Sequence, residues 1–391
     1  MLGLLQHPNL DPVILNVAGP LALRWYGLMY VLAFVYGFFV FRWLQRIGYL
    51  RMKPEDVTNY IVVGVLGTFL GGRIGYLLFY QFDYLFMGIG AAGQDTSLGA
   101  RLGSALKVWE GGMSFHGGVI GVALAVFIYA KLHKHNFLNI MDGSVHIVPA
   151  GVALVRVGNF INGELYGRAI TDEAGKAITE SDKLPWYAMK FPTDDQSPGY
   201  RMLVDAAQSD YLATRNVKAL PADWHILPVK PELWERYQDY FYGRYPSQII
   251  QFLFEGVLLL LIVWVARRWV KRPGVMCSLF LAGYAIFRIP AEMIRQPDKQ
   301  IDPTKAGELT GTAAFLHSMG LTMGQLLSVL IFVWGAGMIV AFSGFKKPYT
   351  GEFYDPGVRR WPFMKAKSGV SSPESGVKIE EGDSRQASGE S

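Results

Sequence analysis

Cysteine is almost missing from this chain. Cys277 stands alone among 391 residues, which excludes an intrachain disulfide and any CxxC redox or zinc motif. Its thiol opens an apolar run and reads as a small buried hydrophobe. Charge is scarce as well: 18% of residues are charged, where a soluble domain carries about 25%. The basic residues form no continuous stripe, so nucleic acid is excluded as a partner. Neither an HExxH nor a P-loop is present, and nothing calls for a metal, a nucleotide or another cofactor. Met1–Leu23 holds no Lys or Arg, so the basic start of a cleavable signal is missing and a retained first span is expected. No internal repeat is visible, which counts against an inverted-repeat transporter.

What is there is apolar. Hydrophobic residues make up 51% of the chain, aromatics 14%, and the mean hydropathy is +0.21. A membrane span needs about 20 mostly apolar residues. The candidates are Leu21–Leu44, Val57–Tyr80, Phe115–Ala130, Val145–Phe160, Ser247–Val265, Val275–Ile294 and Met323–Phe342. The third and fourth are short, so they are expected to be partly re-entrant or enclosed by other helices. Basic clusters follow the odd-numbered runs: Arg42, Arg46, Arg51 and Lys53; Lys131 and Lys134; Arg267, Arg268, Lys271 and Arg272; Lys346 and Lys347. By the positive-inside rule this predicts an all-α integral membrane protein of about seven spans, N-terminus outside and C-terminus in the cytoplasm.

The same topology places Gln81–Ser114, Gly163–Pro246 and Arg295–Thr322 on the outer face. The middle connection is rich in Trp, Tyr, Pro and acidic residues, a composition that suits a small folded head. The expected division is residues 1–162 for the first four helices, 163–246 for the outer head, and 247–345 for the last three helices. Residues 346–391 form a polar cytoplasmic tail, expected to be largely disordered.

Ionisable residues inside spans are costly and point to function. Val155–Arg168 gathers Arg156, Asn159, Asn162 and Glu164 at the end of an apolar run, with glycines at 158, 163 and 167 that admit a close backbone or a ligand. The alternative is an interfacial helix end with a snorkelling arginine. In the second run, Gly67, Gly71 and Gly75 form a ladder suited to close helix packing, while Arg73 needs a partner or a wet cavity. His116 opens the third run between glycine pairs, either as a structural residue or as a group within reach of substrate. The sixth run ends with Arg288, Glu292 and Arg295 on one helical stripe, followed by Pro297. Four arginines against Glu164 and Glu292 predict a positive pocket, and the arginine fork suits phosphate oxygens. An anionic membrane lipid facing outward is the partner these residues imply.

RWYGLMY (Arg24–Tyr30), GGRIGY (Gly71–Tyr76), FHGGVIG (Phe115–Gly121), RVGNFINGELYGR (Arg156–Arg168), YPSQ (Tyr245–Gln248) and FRIPAEMIRQPD (Phe287–Asp298) occur in this order. In this the chain resembles the bacterial phosphatidylglycerol–prolipoprotein diacylglyceryl transferases. The resemblance implies a seven-span inner-membrane enzyme with its active site toward the periplasm. Its reaction would move diacylglycerol from phosphatidylglycerol to the lipobox cysteine of a prolipoprotein signal peptide, releasing glycerol phosphate. Matched by motif, the family's functional residues fall on Tyr26, His116, Arg156, Asn159, Glu164, Gly167, Arg288 and Glu292. The expected catalytic set is His116, Arg156, Arg288 and Tyr26. Asn159, Asn162, Glu164, Gly167, Arg73, Glu292 and Arg295 join the two arginines in substrate binding. Two departures stand out: YPSQ continues as Ile-Ile-Gln rather than Leu-Tyr-Glu, and Ala169–Gly243 is longer than usual.

The chemistry suits these residues. The thiolate is the nucleophile, and an ordinary cysteine has a pKa near 8.5, so His116 is a candidate base. Arg156 and Arg288 are candidates to neutralise the departing phosphate. An intramembrane serine protease using Ser114 is the rival enzyme, but it leaves the arginines unexplained. A lipid or anion transporter explains the positive pocket and lacks the repeats.

Overall fold

The computed structural model describes residues 5–18, 21–82, 97–99, 101, 103, 112–220, 224–270, 272–296 and 323–343. The expected tail, 346–391, and most of the connections 81–114 and 295–322 lie outside the described residues. The chain is mostly helical. Among the described residues, five helices are long and apolar enough to cross a membrane, and a sixth crossing results if one bent pair is a single span.

The chain opens with β1 (Leu5–Gln6), β2 (Val13–Ala18) and β3 (Leu21–Arg24), and β2 and β3 pair antiparallel. The expected first span therefore starts late: α1 is Trp25–Arg46, because Leu21–Arg24 is bonded into the hairpin. Helix α2 (Pro54–Tyr80) begins on Pro54, with Glu55 and Asp56 in its first turn, where the helix dipole favours acids. Helix α3 (Phe115–Leu132) is capped by Ser114, whose hydroxyl accepts from the Gly117 N–H at 3.2 Å. Ser114 thus serves as a cap, the opposite of a poised nucleophile. The expected fourth span is a bent pair, α4 (Phe137–Ser144) and α5 (Val148–Ile161), meeting at 41°. Pro149 accounts for the break, since it suits the first turn of a new helix and not the interior of a continuous one.

The glycine ladder packs as expected. A Cβ on Gly71 would stand 2.5 Å from the Gly117 carbonyl oxygen and 2.5 Å from the Gly121 Cα, so α2 and α3 touch backbone to backbone. Helix α8 (Ser247–Gln251) runs into a π-helical segment, Phe252–Leu258, and then α9 (Leu259–Ala266). Here Gly256 lies on Ala153 of α5, where a Cβ would meet the Ala153 Cβ at 2.6 Å. Helix α10 (Val275–Ile294) is capped across the fold by buried Asp142, which accepts from the Gly274 and Cys277 N–H groups at 2.8 Å each. Helix α11 (Met323–Ser343) packs along α10, with Gly335 against the Ala282 backbone.

Between α5 and α8, Leu203, Ile226, Leu227, Val229 and Phe241 pack into a core cluster of their own among the described residues of 163–246. The same stretch contains β4 (Met189–Lys190), α6 (Tyr200–Arg215) and α7 (Pro231–Tyr237). Strand β1 pairs with β4 in parallel, and the Asn9 amide pairs with the Val229 backbone in both directions, at 2.6 and 2.8 Å. The two small sheets are the departure from an all-α chain.

Candidate active site

The end of α5 carries the first half of the site. Arg156 Nη1 donates to Asn159 Oδ1 at 3.1 Å, and Asn159 Nδ2 donates to Glu164 Oε1 at 2.9 Å. Asn162 Nδ2 reaches the same oxygen at 3.5 Å. The ring of Tyr26 lies over Gly158, where a Cβ would meet it at 2.9 Å.

After Glu164 the chain turns through Leu165 at φ 57°, a left-handed conformation that a branched side chain rarely adopts. The YPSQ motif holds this turn. Ser247 Oγ donates to the Leu165 carbonyl and Gln248 Nε2 to the Glu164 carbonyl, both at 2.8 Å. Gly167 is then wedged between two backbones: a Cβ there would stand 2.6 Å from both the Tyr245 and Ile294 carbonyl oxygens. Close approach is what requires glycine at this position.

The end of α10 carries the second half. Arg288 Nη2 pairs with Glu292 Oε2 at 2.6 Å, and Arg295 Nη1 stands 3.8 Å from the same oxygen. The two halves meet at a residue that the sequence reading missed. Glu255, in the π-helical segment, is fully buried and places Oε2 3.9 Å from Arg156 Nη2 and Oε1 3.5 Å from Arg288 Nη1. A signal for it existed: Glu255 is the lone acid inside the apolar run Ser247–Val265, and the rule that singled out Arg73 applies equally to it.

Glu255 corrects the expected positive pocket. In this cluster three guanidinium groups, Arg156, Arg288 and Arg295, stand with three carboxylates, Glu164, Glu255 and Glu292. No fixed surplus of positive charge remains there. What remains is donor capacity, because Arg156 Nε and Arg288 Nη1 are buried and donate no hydrogen bond. Arg73 is placed elsewhere, donating to the Gly112 carbonyl at 3.0 Å and lying 5.6 Å from the centroid of the Tyr76 ring. His116 sits at the start of α3, and its side chain lies outside the described residues.

A second missed residue braces the site from the connection between α5 and α8. Arg244 is buried and uses every N–H of its guanidinium. Nε and Nη2 grip Asp194, Nη2 also reaches Gln196, and Nη1 donates to the Gly167 carbonyl and to Gln296 at 3.2 Å each. Tyr166 lies under it, its ring centroid 4.7 Å from the guanidinium carbon. Burial, with Asp194 alongside, pushes the Tyr166 phenol up, so this hydroxyl stays protonated. His7 is buried against α5: the Asn9 N–H donates to its Nδ1 at 3.2 Å, leaving Nε2–H to donate to the Phe160 carbonyl at 2.7 Å.

Comparison with known proteins bears on this arrangement. The family described as prolipoprotein diacylglyceryl transferase matches residues 12–341. A phosphatidylglycerol–prolipoprotein diacylglyceryl transferase of Neisseria meningitidis serogroup A is 38% identical over 350 residues, covering 88% of this chain and all of the relative. Its counterpart in Paraburkholderia phymatum is 37% identical over 85% of this chain and 93% of its own length. That of Ralstonia pickettii is 36% identical over 86% and 95%. With most of its length matched, and with both arginine-bearing segments inside the matched region, the chain belongs to the prolipoprotein diacylglyceryl transferase family.

Proposed function

We propose that this chain transfers the diacylglyceryl group of phosphatidylglycerol to the lipobox cysteine of prolipoproteins, as the names of its relatives describe. The observation that carries the reading is the meeting of Arg156 and Arg288, from separate helices, with unspent N–H donors. The cysteine sulfur attacks the glycerol carbon that bears the phosphate. A C–S bond forms, the C–O bond to phosphate breaks, and the electron pair leaves with glycerol phosphate. Arg156 and Arg288 bind that phosphate and stabilise the charge it gains as it departs.

Asn159 fixes Arg156 and is itself fixed by Glu164, while Glu292 fixes Arg288 and Arg295. Tyr26, Asn162 and Gly167 shape the approach, and Arg73 contributes to lipid binding from α2. His116 takes the thiol proton. No cofactor is needed, because the leaving group is already activated as a phosphate ester.

The reading places about seven spans in the bacterial inner membrane, N-terminus and head in the periplasm and C-terminus in the cytoplasm. It is supported by the alternation of basic clusters and by the apolar helix α3 and the pair α4–α5, which complete the count. The test is purified protein with phosphatidylglycerol and a lipobox peptide. A lipid-shifted peptide with matching glycerol phosphate is expected, and none with serine in place of the lipobox cysteine. Absence of both products from folded protein would overturn the assignment.

A further inference from the structure

A carboxylate buried in the membrane part of a protein is expensive unless it is paired and hydrogen-bonded. Glu255 is 0% exposed, and neither of its oxygens accepts a hydrogen bond. It stands at 3.5 Å from Arg288 and 3.9 Å from Arg156, one oxygen toward each. The other partners of those arginines are already engaged: Asn159 holds Nη1 of Arg156, and Glu292 holds Nη2 of Arg288. Glu255 therefore marks the point on which the two remaining guanidinium edges converge.

The local backbone brings it there. Glu255 lies within the π-helical turn Phe252–Leu258, and such turns recur at functional sites because they redirect side chains. Its neighbour Gly256 lies directly on Ala153, three residues before Arg156 on α5. A tight carboxylate would consume the arginine donors. At these distances Glu255 attracts both guanidinium groups and leaves their N–H groups available to an anion.

We propose that Glu255 is a positioning residue, the shared counter-charge that holds Arg156 and Arg288 as one converging pair before the lipid phosphate arrives. This rests on the reading that the two arginines grip that phosphate. Without the charge, two like-charged groups in a medium of low polarity repel each other. The phosphate must then gather them at each turnover. It would also be held more firmly, since a nearby negative charge has gone.

The experiment uses the full chain in lipid nanodiscs, with kcat and KM for phosphatidylglycerol measured beside thermal melting. Glu255→Gln keeps the size and removes the charge. A kcat lowered at least about tenfold is expected, with KM unchanged or lower and stronger inhibition by added glycerol phosphate. Glu255→Asp, which keeps the charge, should recover much of the loss. A merely structural residue would lower the melting temperature and leave kcat per folded molecule intact, and that result would overturn the proposal. So would a raised KM at unchanged kcat, or an Asp variant no better than Gln.

If Glu255→Gln melts before assay, Glu255→Met takes its place as a neutral chain of similar length that needs no hydrogen bond: a kcat about tenfold below that of Glu255→Asp supports the role, and a kcat equal to that of the wild type overturns it. Arg156→Lys and Arg288→Lys run in parallel separate the two readings. Full activity in both removes the phosphate clamp. Their loss beside a wild-type kcat in Glu255→Gln removes only the role of Glu255.

Discussion

Arg244 and His7 show what single residues contribute outside the reacting centre. Arg244 has no N–H left to lose, and Lys offers three donors from a point charge where Arg presents five in a plane. Arg244→Lys is expected to cost on the order of 3 kcal/mol of stability, since hydrogen bonds to charged groups are each worth about 1.5–3 kcal/mol. Thermal melting measures it, and an unchanged melting temperature would contradict the brace. His7 gives a pH dependence. Burial holds its imidazole below the ordinary value of 6.5, so the unfolded segment binds protons more readily than the folded one. The contribution of His7 is therefore complete above pH 6.5 and is lost as pH falls below that value. The protection of the Asn9 and Val229 amides, with exchange corrected for its intrinsic pH dependence, should fall on acidification below pH 6.5, and His7→Gln should remove that fall. Arg244 was illegible in the sequence because it stands in a polar connection, where nothing distinguishes a buried arginine from a solvated one. Glu255 was legible in kind, as an acid in an apolar run. Its partners were not, because they depend on the register that Gly256 and Ala153 impose between distant segments.

Among the elements, the glycine ladder is where sequence and structure agree most closely, since its spacing alone defines the face it builds. Gly71→Ala places a methyl group against the α3 backbone, which cannot yield as a flexible side chain would. The expected loss is about 1–3 kcal/mol, the usual range for overpacking. Gly337→Ala in α11 is the matching control, because nothing lies within 4 Å of the added carbon. It should be neutral or stabilise by about 0.5–1 kcal/mol, the ordinary gain of Ala over Gly in a helix. Equal effects at the two positions would refute backbone contact between α2 and α3. Helix limits were legible where punctuation is local, as at Pro54, Ser114 and Pro149. The late start of α1 was not, because Leu21–Arg24 is apolar enough for a span and is claimed by its pairing with β2.

For the whole molecule, the proposed orientation predicts which surfaces an impermeant thiol reagent reaches in intact cells. In a Cys277→Ser background, Ser209→Cys in α6 should label, while Lys271→Cys and Lys347→Cys should stay protected. Labelling at Lys271→Cys would reverse the topology and move the site to the other face. The central claim joins the two halves of the chain: Arg156 on α5 and Arg288 on α10 act on one phosphate. Either Arg→Lys change should cost about 2–3 kcal/mol, roughly 30- to 150-fold in rate. The decisive measurement is a double-mutant cycle on turnover of phosphatidylglycerol, using Arg156→Lys, Arg288→Lys and the pair, with folding checked by thermal melting. The account predicts that the pair loses less than the product of the single losses, because both residues serve one group. Strictly multiplicative losses, or wild-type turnover in Arg156→Lys, would contradict it.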